Sequence, residues 1–132
     1  MAFNKDYNFG LKKQDEVFPR LVSKFGGNIK PTTDKMDPWD YISDDSVFEL
    51  KSRNNTYSAY PTTLIGLDKV KEEESKKMIF LFNFTDGLYW IEYDKDLFDT
   101  FGSKKFRRYR PGVNDKVKPY LYIPIEFLKK IE

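Results

Sequence analysis

Residues 47–53 read VFELKSR, a strand-like apolar run that carries a carboxylate and an ammonium group, Glu49 and Lys51, two positions apart. Side chains at i and i+2 of a strand share a face, so the two charges occupy one surface. WDYI at 39–42 and the polar turn SDDS at 43–46 lead into VFELK, and together they read as a β-hairpin. A turn centred between Asp44 and Asp45 sets Ile42 against Val47 and Asp40 against Glu49, with Lys51 beside them. Two carboxylates and a lysine then converge. Asp40, Glu49 and the carbonyl oxygen of Leu50 make a hard oxygen donor set suited to Mg2+, with Mn2+ able to substitute. A cation held there polarises a phosphodiester and activates bound water, while Lys51 positions that water or neutralises charge in the transition state.

The spacing by itself carries little weight. With 21 acids and 18 lysines in 132 residues, about three acid-x-Lys triplets are expected from composition, and two occur. The other, Glu74-Ser75-Lys76, falls in a charged stretch. Context separates them: Glu49-Leu50-Lys51 lies on a predicted strand with an aspartate across a tight hairpin. An exposed pair of hairpin charges joined by an i, i+2 salt bridge is the competing reading.

Composition removes other chemistries. The chain has no cysteine and no histidine, which excludes disulfides, thiolate nucleophiles, imidazole bases and His-ligated zinc. Carboxylates, Lys, Tyr and oxygen-bound hard metals remain. A length of 132 residues suits one domain, hydrophobic residues at 39% and aromatics at 17% point to a core of Phe and Tyr, and 33% charge fits a solvated surface. No apolar run approaches the roughly 20 residues that span a bilayer. The start, MAFNKDYNFG, lacks the apolar region of a signal peptide, so an intracellular, cytoplasmic protein with no membrane partner is expected. Net charge is only +2, but it is unevenly spread. Asp34, Asp37, Asp40, Asp44, Asp45 and Glu49 gather early, whereas KKFRRYR at 104–110 holds five bases and no acid. Carboxylates beside a basic patch suit metal-dependent work on a polyanion; a solvated turn and a solubilising loop give the same pattern.

Several elements must position these groups. Leu11, Phe18, Leu21, Val22 and Phe25 recur at helical spacing and Gly26-Gly27 ends the pattern, which predicts a first helix with Pro19 as a kink or a later start. A short strand or connection follows around 28–33. Pro61-Thr62-Thr63 offers a start for a second helix, continued by LIGLDKVKEEESK. MIFLFNF reads as a strand buried on both faces, and Asp86-Gly87 as a turn into LYWIEYD. Residues 95–112 form a short helix or loop bearing the basic patch, YLYIP a last strand, and IEFLKKI a terminal helical turn or two.

Asp40, eight intervening residues and then Glu49-Leu50-Lys51, within that order of elements, resembles the PD-(D/E)XK nuclease superfamily of restriction enzymes and Holliday-junction resolvases. The resemblance covers roughly residues 10–84. It implies an α/β fold, a mixed α+β sheet with a restriction-endonuclease-like αβββαβ core, extended here by a C-terminal strand and short helix. It departs from the family pattern in that Trp39, not proline, precedes Asp40, and Asp37-Pro38 has the pair reversed. Small viral and archaeal resolvase-like members often begin with a glycine and a helix bearing a metal-side glutamate. The matching segment is GLKKQDEV at 10–17, where that glutamate falls on Gln14. Gln14 is carried over as a site residue; Glu16 lies almost opposite it on a helix and is taken as surface.

The resemblance implies a Mg2+-dependent endodeoxyribonuclease acting on DNA, with branched or junction DNA favoured and a homodimer making two symmetric cuts. Arg53, Tyr60 and Lys69 are the nearest candidate phosphate contacts, and Lys104, Lys105, Arg107, Arg108 and Arg110 can grip flanking backbone. Tyr89, Trp90 and Tyr93 are read as sheet packing. Two other classes remain open: a non-catalytic binder that stacks single strands on aromatics beside the basic patch, and an inhibitory protein that keeps the fold without cutting. Richness in Lys, Asn, Phe and Tyr fits an AT-rich genome, as in many phages and large DNA viruses.

Overall fold

The computed structural model describes residues 15–26, 28–32, 39–67, 70, 76–106, 112 and 117–131. Helix α1 occupies residues 15–25 and runs through Pro19, which is exposed. Val17 and Leu21, one helical turn apart, are fully buried, and Phe18 and Phe25 extend the apolar stripe. Gly26 ends the helix: its N–H bonds to the Val22 carbonyl at 3.1 Å, and its φ of 120° is one that side chains rarely tolerate.

The larger sheet contains β1 (Lys30–Pro31), β2 (Tyr41–Ile42), β3 (Ser46–Ser52), β5 (Lys77–Phe84), β6 (Gly87–Glu92) and β9 (Lys129–Ile131), in the spatial order β1-β2-β3-β5-β6-β9. Only β3 and β5 pair in parallel, from Ser46 opposite Lys77 to Ser52 opposite Asn83. Strand β5 is central and buried on both faces, as expected of MIFLFNF. Ile79 and Leu81 face α1 together with Tyr41 and Phe48. Met78, Phe80, Phe82 and Phe84 face the opposite core with Val47.

That second core is closed by a smaller sheet of β4 (Thr62–Gly66), β7 (Ser103–Phe106) and β8 (Lys118–Pro124), ordered β4-β8-β7. Ile65, Leu121 and Ile123 supply its inward side chains. The fold is therefore mixed α+β, mostly strands in two sheets.

Four expectations are corrected here. Residues 62–66, expected to begin the second helix, form β4. Two β-branched threonines and Ile65 favour extended backbone, and burial alternates along the segment, with Thr63 and Ile65 inward. The rest of the expected helix falls largely outside the described residues. The 85–88 turn is one residue earlier than read: Phe84 pairs with Gly87, so Thr85 and Asp86 make the loop. The C-terminal segment forms one 3-10 turn, Ile125–Phe127, and then β9 beside β6, since Leu128 and Ile131 find buried sites that a solvent-side helix lacks. Of the segment 95–112, expected as a short helix or loop, Lys95–Phe98 forms α2, capped by the Asp94 carboxylate on the Leu97 N–H, whereas Ser103–Phe106, where the basic patch begins, is strand β7, because it pairs with β8.

Phe80 is fully buried and lies against Trp39 and Phe98. Its replacement by alanine is expected to remove about 3–5 kcal/mol of stability, readable as a lowered urea midpoint with an unchanged slope.

Candidate functional site

The β2–β3 turn is fixed by its own side chains. Ser46 N–H donates to Ser43 Oγ at 3.1 Å, and both serine hydroxyls donate to Asp45 Oδ1 at 3.1 Å. The turn is also tied to β5: Lys77 N–H bonds to the Asp45 carbonyl at 2.9 Å, and Lys76 Nζ donates to the Ser43 carbonyl at 2.7 Å. The lysine of the second acid-x-Lys triplet thus anchors the hairpin. These bonds hold the expected register, with Ile42 opposite Val47 and Tyr41 opposite Phe48.

One residue further the ladder slips. The Asp40 N–H donates to the Phe48 carbonyl at 2.8 Å, a bond incompatible with a pairing of Asp40 directly opposite Glu49. Instead the Asp40 carboxylate turns onto β3, where Oδ2 accepts the Leu50 N–H at 2.8 Å. Strand β2 has ended there, and the side chain replaces the missing backbone acceptor. Thr32 holds the other side, its N–H bonding to the Asp40 carbonyl at 3.0 Å. The Asp40 carboxylate therefore sits against the peptide that joins Glu49 to Leu50, reached by a route other than simple cross-strand opposition.

Backbone parity then locates the Leu50 carbonyl. Arg53 N–H bonds to Asn83 of β5, while Phe48 C=O and Leu50 N–H bond to Asp40. Odd residues address β5 and even residues the opposite edge, so the Leu50 carbonyl points to the edge where the Asp40 carboxylate lies.

Glu49 points into the face shared with the second sheet and is only 5% exposed. Lys51 Nζ stands 3.1 Å from Glu49 Oε1, and its side chain is 30% exposed. A buried carboxylate is costly unless paired and hydrogen-bonded, so a pair of exposed hairpin charges does not describe this arrangement. Carboxylate and carbonyl oxygens such as those of Asp40, Glu49 and Leu50 are the donor type that Mg2+ takes, usually one or two carboxylates with water and substrate phosphate. Among the described residues no group of three or more acidic side chains forms a fuller cage.

The remaining candidates divide. Arg53 is drawn into the fold: its Nε donates to Thr63 Oγ1 at 3.3 Å and its Nη2 to the Leu64 carbonyl, joining the end of β3 to β4. Tyr60 is 62% exposed. Lys104 and Lys105 lie on β7, the outer strand of the smaller sheet, and are exposed. Gln14, Lys69, Arg107, Arg108 and Arg110 lie outside the described residues. Tyr89 stacks on Tyr57 at 4.1 Å, and Trp90 and Tyr93 meet Phe25 and Phe98 edge-on, so these rings pack within the protein.

A cleft of about 590 Å³ opens beside Lys51 and Arg53 and is walled by β4 and β8, with Tyr60, Lys118, Tyr120 and Tyr122 among its lining residues. The last three were not singled out by sequence. Their signal is the alternation in KPYLYIP: Leu121 and Ile123 are buried while Tyr120 and Tyr122 are partly exposed, which puts both tyrosines on the outer face.

Comparison with protein families, with curated proteins and with solved structures gives no significant match.

Hydrogen bonds from Ser46 and Ser43, aided by the nearby Lys77 charge, hold the Asp45 carboxyl below the usual carboxylate range. Its ionised form favours the folded turn, so this contribution is present above the ordinary carboxylate pKa and is lost as pH falls through the lower folded value. Ser46→Ala is expected to move the Asp45 titration upward toward the ordinary value, measured by NMR of the side-chain carboxyl.

Proposed function

We propose that this chain is a Mg2+-dependent DNA endonuclease. The observation that carries the reading is the double position of Lys51, which closes on the buried Glu49 carboxylate and also lines the cationic cleft. A phosphate entering along the cleft would meet the lysine beside the buried Glu49 carboxylate. The order of elements lends support. A helix, three strands paired antiparallel and a crossover to a strand parallel to the third follow the order implied by the PD-(D/E)XK resemblance, with β4 taking part of the second helix's place.

In this reading Asp40, Glu49 and the Leu50 carbonyl hold Mg2+ or Mn2+, which supplies polarisation of the phosphate and a more acidic bound water. Asp40 fixes the β3 edge through the Leu50 amide. Glu49 keeps the Lys51 ammonium beside the cleft, where it stabilises negative charge developing on the phosphate oxygens. The preferred substrate is branched or junction DNA and the active form a homodimer, both drawn from resemblance to small resolvase-like nucleases. The direct contact of Lys51 with Glu49 favours one rival reading, a fold of this kind that binds nucleic acid without cutting it.

Incubation with linear, nicked and branched DNA in Mg2+ or Mn2+ separates the two. Wild type is expected to cut, and Glu49→Ala and Lys51→Ala each to lose about 100- to 10,000-fold in rate. Binding without cleavage by wild type would favour the rival, and equal cleavage by the variants would overturn the roles given to Glu49 and Lys51.

A further inference from the structure

The outer face of the smaller sheet has the composition of a stacking platform. On β8 the outward residues Lys118, Tyr120 and Tyr122 alternate with the buried Leu121 and Ile123. Across the ladder, Tyr122 faces Leu64 and Tyr120 faces Gly66 on β4, with Lys104 on the other side of Tyr120. Tyr60 stands at the rim with 62% of its surface exposed.

Charge gives the platform a direction. Among the described residues Lys51, Arg53 and Lys118 line the cleft and no carboxylate does, although the chain as a whole is nearly balanced at +2. The cavity of about 590 Å³ falls within the roughly 300–1,000 Å³ usual for small-ligand sites. Aromatic rings on an exposed sheet beside a cationic groove are the combination that binds unpaired bases without sequence preference, rings taking the bases and cations the backbone.

We infer that the cleft walled by β4 and β8 binds a single-stranded segment of DNA, with bases stacking on Tyr120, Tyr122 and Tyr60 and phosphates directed toward Lys118 and Lys51. The inference extends the proposed nuclease reading, on which it rests only for the choice of DNA and for what the adjacent acids do. It gives a physical source for preference toward branched substrates: an unpaired strand held in the cleft lies against Lys51, the partner of Glu49.

The test is fluorescence anisotropy of a short labelled oligothymidylate in EDTA, where cleavage plays no part. Wild type is expected to bind it more tightly than a duplex of equal length, with affinity falling as salt rises. Tyr120→Ala and Tyr122→Ala are each expected to weaken binding about 5- to 150-fold, while the Tyr→Phe variants, which keep the ring, bind nearly as wild type. Tyr60→Ala, at an exposed site with little bearing on folding, is expected to weaken binding in the same direction. Equal or tighter binding of duplex, alanine variants that bind as wild type, or phenylalanine variants as defective as alanine would overturn the proposal. Binding that depends on the tyrosines in a protein that never cuts would leave the cleft standing and the nuclease reading fallen. Cleavage that persists with tyrosine-independent binding would do the reverse.

Discussion

The parallel pairing of β3 with β5 governs the rest of the molecule. Parallel neighbours cannot be joined by a tight turn, so the chain must leave the sheet between Ser52 and Lys77 and cross one face before it returns. That crossover contains β4, whose pairing with β8 builds the second sheet over the face bearing Val47 and Glu49. The same pairing occupies one edge of β3. The other edge is covered only by the two-residue β2, and beyond it the Asp40 carboxylate takes the Leu50 amide. Site and cleft are both consequences of where the crossover runs.

Within that frame Glu49 is the costly residue. A hydrocarbon side chain would fill its place beside Val47 and Phe80, and buried ion pairs are often replaced by apolar groups with no loss of stability. Packing therefore does not account for a glutamate there. Its partner, Lys51, reaches from the buried oxygen to the solvent of the cleft, and this half-in, half-out geometry connects an acid in the interior to a cationic surface. Arg53, two residues on, performs the mechanical counterpart by fastening β3 to β4.

Local signals made part of this legible in the sequence. SDDS specified the hairpin and its register because two serines and an aspartate satisfy one another within the turn, and MIFLFNF announced a strand buried on both faces. The nearness of Asp40 to β3 was legible, although its bond to the Leu50 amide was not, because a slip of one residue depends on where β2 stops pairing. The failure at residues 61–67 has a similar cause. Proline followed by threonines fits a helix start as well as a strand, and what decides between them is pairing with β8, more than 50 residues away. The platform on β8 was missed for a related reason: alternation in KPYLYIP shows that two faces differ, but only the assembled sheet shows which one meets the cleft.

The account stands on whether the oxygens of Asp40, Glu49 and Leu50 hold a divalent cation. Paramagnetic broadening by substoichiometric Mn2+ reads this residue by residue in solution. The expected result is selective loss of the backbone amide signals of Asp40, Glu49, Leu50 and Lys51, reversed by excess Mg2+ and abolished in Asp40→Asn. Broadening centred elsewhere, or unchanged by that substitution, would contradict it.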